Sequence, residues 1–301
     1  MRPTRRLFSL CFAAALLVPS AARAQDMSAV EVRTEHVAGA VHVLTGAGGN
    51  VAVVAGADGV FLVDDQFAPL TEKIRAAVAR ISPAPVRFVL NTHWHGDHTG
   101  GNENLGRGGV LIVAHDNVRT RMSTDQFQNN LSDTVKASPA GALPVVTFTD
   151  AVTFHLNGEE VHAFHVAPAH TDGDAVVHFR RADVVHMGDT YFNGLYPYVD
   201  LSSGGSVDGM IAAADRVLAM AGERTRIIPG HGPLSGRAEL RAYRDMLATV
   251  RDRVRALARE GKTLEQVLAA RPSAEFDARW GQGFMKPESF VRIVYQSVAG
   301  R

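Results

Sequence analysis

The stretch NTHWHGDHTGGN (91–102) follows directly on the apolar run VRFVL (86–90) and sets His93, His95, Asp97 and His98 within six residues. On an extended segment, side chains two apart point to the same side, so the imidazoles of His93 and His95 can reach one ion. Gly96 then lets the backbone turn sharply, and Asp97 and His98 can swing towards a second position nearby. Four ligand-type residues, a glycine and a strand-to-loop junction coincide here. That combination points to metal binding rather than to a polar loop that happens to be rich in histidine. A catalytic zinc takes three protein ligands and keeps one position for water. The cluster therefore holds too few ligands for two ions and too many for one.

Three later positions could complete the set, each on a loop after a strand-like run. VAPAHTDGD presents His170, VVHMGDTYF presents Asp189, and IIPGHGPL presents His231 between glycines. A small or turn-forming residue flanks each one, as expected where backbone must approach an ion closely. The only cysteine, Cys11, lies near the N-terminus, so the ligands must be His, Asp or Glu.

Around these loops the apolar pattern alternates between strand and helix. VHVLT, VAVVA and VFLVD read as strands separated by the turns GAGGN and GADG. APLTEKIRAAVARI (68–81) has helical spacing, VRFVL returns to strand, and VLIVA from 110 is another strand. The polar stretch from 116 to 138 reads as helical or irregular. VTFHL, VHAFHVA, AVVHF and VVHMGD supply four more strands, and from 207 onward helices dominate, interrupted by RIIPGHGP. TLEQVLAA and PESFVRIVYQSVA close the chain as two further helices. With no internal repeat and no low-complexity linker, residues 25–301 read as a single α/β (α+β) domain, two packed sheets with helices outside.

The first 24 residues have a basic start, an apolar run from Leu7 to Val18 and the small-residue site Ala22-Arg23-Ala24. This is the layout of a secretory signal peptide cleaved after Ala24, and the apolar run is too short for a permanent membrane span. TRRLFSL also resembles a twin-arginine signal, which leaves two export routes open and implies a periplasmic or secreted protein. The whole chain has 31 basic and 31 acidic residues; without the signal's four arginines, 27 face 31 and the net charge is −4. Nothing in that balance suggests a nucleic-acid surface.

The series His93-x-His95-x-Asp97-His98, then His170, Asp189 and His231, resembles the metallo-β-lactamase-fold superfamily of binuclear metallohydrolases. The resemblance runs from VFLVD to PGHGPL. It implies an αββα four-layer sandwich with two Zn²⁺ ions at one edge, iron and manganese being the other metals to weigh. It also implies that His93, His95 and His170 hold one ion, that Asp97, His98 and His231 hold the other, and that Asp189 bridges them. Zinc lowers the pKa of water towards about 7, so the implied reaction is hydroxide attack on a cyclic amide or ester carbonyl of a small molecule. Asp97 would orient the nucleophile or accept its proton as well as bind metal. Asp64, at the end of VFLVD, resembles the family's aspartate that buttresses the metal loop.

The sequence departs from the best-known metallo-β-lactamases, which carry a cysteine where Asp189 stands and a lysine three residues later. Asp189 is followed by Thr190, Tyr191 and Phe192, and a bridging aspartate instead resembles glyoxalase II and the lactonases. The basic residues expected for a glutathione thioester have no equivalent after GDTYFNG. A β-lactam, a lactone, another ester or thioester, and an iron-dependent persulfide-dioxygenase-like reaction all remain as readings. Tyr191 is the first candidate for a substrate contact, with Tyr196 and Tyr198 beside it. His115, His155, His162, His165, His178 and His186 read as structural, His186 being the one placed to support Asp189. Trp280, Phe284, Phe290 and Tyr295 read as packing of a terminal helix, a substrate lid or a dimer contact.

Overall fold

Two strands set the layering. In Val51–Gly56 and Gly59–Val63, Val51, Val53, Val60 and Leu62 face one apolar cluster, while Ala52, Val54, Phe61 and Val63 face another. A sheet buried on both faces must lie between two apolar layers, which is why these runs are apolar without interruption. The computed structural model describes residues 27–128 and 133–299, so the expected signal sequence 1–24, with Cys11, lies outside the described residues.

The first sheet has seven strands in the order β1 (Arg33–Ala38), β2 (Val41–Thr45), β3 (Val51–Gly56), β4 (Gly59–Val63), β5 (Val86–Leu90), β6 (Leu111–His115) and β9 (Val146–Phe148). A hairpin, β7 (Gln126–Gln128) with β8 (Asp133–Val135), stands apart from it. The second sheet has six strands in the order β10 (Ala151–Leu156), β11 (Glu159–His165), β12 (Ala175–Phe179), β13 (Val184–His186), β14 (Arg226–Ile228) and β15 (Ser235–Gly236). The helices are α1 (Thr71–Ile81), α2 (Gly96–Thr99), α3 (Asn102–Arg107), α4 (Asp116–Met122), α5 (Val207–Met220), α6 (Arg237–Arg259), α7 (Leu264–Ala269), α8 (Ala274–Trp280) and α9 (Pro287–Ala299).

Three apolar interfaces stack these elements into four layers. Between the sheets, Phe61, Val63 and Leu90 meet Val161, Val177 and Phe179. Outside the first sheet, Ile74 and Val78 of α1 and Leu105 of α3 cover Val53, Leu62 and Val89. Outside the second, α5, α6 and α9 cover Val176 and Val185 with Met210, Val217, Leu247 and Phe290. This is the αββα sandwich expected from the resemblance. Among the described residues, no helix is long and apolar enough to cross a membrane.

The topology brings the chemistry to one rim. β4, β5 and β6 are parallel, as are β13 and β14, so loops leaving their C-terminal ends emerge together. Open sheets of this kind bind ligands outside those strand ends. Several elements differ from the sequence expectation, among them the short helices α2 and α3 and the short strand β15. The stretch 116–138 contains α4 followed by the hairpin β7–β8, and β1, β9 and α8 were not foreseen. β1 is largely exposed and polar, and β9 has three residues with one buried, so neither carries a core pattern.

Candidate metal centre

β5 ends at Leu90, and the loop and short helix α2 after it carry the opening cluster. His93, His95 and His98 are buried there, while the Asp97 side chain stays 26% exposed. The loops after β11, β13 and β14 bring His170, Asp189 and His231 to the same place. Two groups of ligand atoms result, His93, His95, His170 and Asp189 in one, and Asp97, His98 and His231 in the other.

Asp189 joins the groups by pointing one oxygen at each. Its Oδ2 lies 3.9 Å from His93 Nε2 and 3.5 Å from His170 Nε2. Its Oδ1 lies 3.0 Å from His98 Nε2 and 3.5 Å from His231 Nε2. Asp97 Oδ2 closes the second group at 3.1 Å from His231 Nε2 and 3.6 Å from His98 Nε2. His95 enters through Nδ1, 2.8 Å from His170 Nε2.

On His93, His95, His98 and His170 the remaining ring nitrogen is held by a partner that fixes the tautomer. Asp64 Oδ2 accepts from His98 Nδ1 at 2.7 Å, which leaves Nε2 for an ion. Thr92 Oγ1 donates its one proton to Asp64 Oδ2 at 2.8 Å, so its lone pair accepts from His93 Nδ1 at 3.0 Å. His170 Nδ1 donates to the Tyr198 carbonyl at 2.9 Å, and His95 Nε2 donates to Asp200 Oδ2 at 3.1 Å. Asp64 therefore buttresses the metal loop as expected, from a backbone with φ +64° that its hydrogen bonds, including Thr92 N at 2.7 Å, hold in place. Close backbone approach completes the cradle. A Cβ on Gly49 would meet the His98 ring, and one on Gly230 would sit 2.1 Å from Asp189 Oδ1.

Sequence reasoning missed Asp200 and Asp174. Asp200 sits in the loop before α5, fully buried, and its Oδ2 also accepts from Ser203 Oγ at 2.6 Å. Asp174 accepts from the His170 and Thr171 amides at 2.6 and 2.9 Å and so shapes the His170 loop. Neither belongs to a spaced motif, so only the turn-forming neighbours Ser202, Ser203 and Gly173 could have flagged them.

The charges favour a cation. Burial, aided by the charge on His98, holds His93 well below its ordinary value, and burial takes His170 down to about 4, so both are neutral at pH 7. Burial works against the Asp189 carboxylate, but His231, His98 and His93 together hold it well below the usual range. Burial likewise opposes Asp97, and His98 with His231 still brings it to about 2. In turn these carboxylates overcome burial to hold His98 well above its ordinary value and raise His231 to about 9. Protons on His98 and His231 thus stand where positive charge is required. His93 Nε2 is buried without any hydrogen-bond partner, and a divalent ion held by its group would satisfy it. A donor set of neutral imidazoles and carboxylates suits zinc.

The centre opens into a cavity of about 500 Å³ lined by His95, Asp97, Asp189 and His231 at its floor. Tyr191 does not reach it, which corrects its expected substrate contact. Its ring is fully buried among the helices, 5.0 Å from that of Tyr243. Tyr196 and Tyr198 line the cavity instead. The Tyr196 hydroxyl is engaged at 2.9 Å by Asp277 Oδ1, whereas the buried Tyr198 hydroxyl has no hydrogen-bond partner.

The other histidines stay outside the ligand groups. His115 caps α4 and stacks on His165 at 3.9 Å. His186 accepts from Gly188 N at 3.1 Å and supports the turn that carries Asp189. The C-terminal aromatic group divides, with Phe290 stacked on Tyr196 in the core and Phe284 on the cavity wall, 76% exposed.

Residues 44–238 match the sequence profile of the family described as "Metallo-beta-lactamase superfamily". Among curated proteins, the chain is 24% identical over 243 residues to an atrochrysone carboxyl ACP thioesterase of Aspergillus terreus, covering 81% of this chain and 65% of that one. It is 26% identical over 164 residues to a hydroxyacylglutathione hydrolase of Polaromonas sp., covering 54% of this chain and 55% of that one. The chain thus spans less than two thirds of these relatives' lengths. Among solved structures, the DIM-1 metallo-β-lactamase superposes with a TM-score of 0.59 at 19% identity, covering 73% of this chain and 99% of that one.

Proposed function

The chain belongs to the metallo-β-lactamase superfamily, and from that premise we propose that it is an exported, binuclear zinc hydrolase of small-molecule esters, cyclic or linear. The observation that carries this reading is the shared carboxylate, with Asp189 presenting one oxygen to each of two ligand groups. Relatives named as a thioesterase and a hydroxyacylglutathione hydrolase support hydrolysis at an acyl carbon. Two zinc ions would supply Lewis acidity to polarise the carbonyl oxygen and make water more acidic.

The chain's own residues would do the rest. Asp97, ionised at neutral pH and open to the cavity, accepts a hydrogen bond from a water and orients it. The Tyr198 ring lines the cavity and packs beside His95 and His170, which helps to fix those imidazoles. Asp200 and Asp64 hold His95 and His98 against rotation as the substrate enters. β-Lactam opening is the weaker reading, because among the described residues no lysine or arginine lines the cavity to receive the substrate carboxylate.

The test is turnover by the zinc-loaded protein recovered from the periplasm, whose mass should begin at Gln25 if the signal is cleaved after Ala24. γ-Nonalactone, p-nitrophenyl butyrate and a chromogenic cephalosporin are offered in parallel. Ester or lactone hydrolysis that falls by roughly a hundredfold or more in His98→Ala and with chelator is expected. Turnover of the cephalosporin alone would replace the ester reading with a β-lactamase one.

A further inference from the structure

The cavity above the metal centre has largely apolar walls, with Gln128 as a neutral polar side chain among them. Phe67, Trp94, Phe192, Leu195, Phe284 and Met285 are apolar residues of these walls, and among the described residues that line the cavity there is no lysine or arginine. Two of the polar groups on the wall are already committed. Trp94 Nε1 donates to Ser203 Oγ at 3.1 Å, and the Tyr196 hydroxyl is held by Asp277. Phe192 stacks on the His231 ring with an interplanar angle of 16°, which turns an apolar face over the second ligand group.

Cations close in sequence are turned elsewhere. Lys286, next to Met285, reaches the Gln282 carbonyl at 3.4 Å. Lys136, next to Val135 of the wall, pairs with Asp125 at 2.7 Å. Arg121 is held by Asp172 at 2.6 Å. The charged groups at the cavity floor are the ligand carboxylates Asp97 and Asp189 and the histidines beside them.

We infer that the substrate is electroneutral away from its reacting carbonyl and carries a medium-length alkyl or aryl group, seated against Trp94, Phe192 and Leu195 with Phe284 over its outer end. This deepens the ester-hydrolase reading and rests on it for the reaction, though not for the binding preference. A volume of about 500 Å³ accommodates a group of that size. An exposed phenylalanine on the wall gains apolar contact only when such a group is present, which gives Phe284 a role that packing does not. A carboxylate in the same position would lose its water and find no partner, which disfavours it strongly.

Two measurements on the zinc-loaded protein test the inference. The first is calorimetric binding of neutral methyl ketones from butan-2-one to nonan-2-one. Affinity should rise about fourfold per methylene until the cavity fills, and should fall roughly three- to tenfold for nonan-2-one in Phe284→Ser. An affinity independent of chain length overturns the inference.

The second is turnover of p-nitrophenyl esters from acetate to octanoate, with mono-p-nitrophenyl adipate as the carboxylate counterpart of the hexanoate. The adipate should be poorer in kcat/KM by roughly ten- to a hundredfold, and Leu195→Arg should narrow that gap. Adipate turned over as well as hexanoate overturns the inference. If no ester is turned over while the ketone series climbs, the hydrolase reading fails and the binding preference stands.

Discussion

Asp200 shows how much of a metal site lies one residue away from the ligands. It binds no ion in the arrangement described, yet it decides which nitrogen of His95 faces the centre, because His95 Nε2 is tied to it and Nδ1 is left free. An asparagine could offer its amide NH₂ to that nitrogen and hold the wrong tautomer. Asp200→Asn is therefore expected to weaken zinc at the His93, His95 and His170 group by roughly ten- to a hundredfold while the Asp97 group keeps its ion. Competition with a chromogenic chelator would measure this, and an unchanged affinity at both positions would remove Asp200 from the account. The seven residues that the fold gathers into two groups were legible in the sequence, because imidazoles and carboxylates beside glycines after apolar runs have few other uses. Asp200 was not legible, since an aspartate among serines is the ordinary composition of a turn. Tyr191 was misread because sequence adjacency to Asp189 says nothing of direction. One residue after the short helical turn at Gly188–Thr190, the chain points its side chain into the helix layer rather than the cavity.

At the scale of elements, the legible parts are those with a two-sided or one-sided apolar pattern. β3, β4 and β12 announce themselves because both faces are covered, and α6 because Leu240, Tyr243, Leu247, Val250 and Val254 recur at helical spacing and are all buried. The hairpin β7–β8 and strands β1 and β9 escaped because their residues are held by backbone pairing with little core contact. The helix layer behind Asp189 also bears on the site, because Tyr191 and Phe192, directly after that ligand, pack into the same cluster as α5 and α6. Leu247→Ala at the centre of α6 should destabilise the protein by about 2–5 kcal/mol, read as a lower denaturant midpoint with zinc present. A loss well under 1 kcal/mol would show that this layer is not the support described here.

Across the whole molecule, four layers and two parallel strand groups converge on one rim, and the rim gathers negative charge that only cations or protons can balance. Without metal, Asp97 and Asp189 keep His98 and His231 protonated, His231 up to about 9. The sign of the linkage follows. These raised imidazole values stabilise the metal-free fold below the ordinary histidine value of 6.5, and that contribution fades as pH rises through about 9. Ions must displace those protons, so metal affinity should fall as the solution is acidified.

The most direct test of the central claim, that seven residues form one two-ion centre, is a zinc titration of the metal-free protein in lightly buffered solution at pH 7. Zinc uptake and proton release are followed together. Two equivalents should bind per chain, with protons released as the Asp97, His98 and His231 group fills. Saturation at a single equivalent, or uptake without proton release, would contradict that claim.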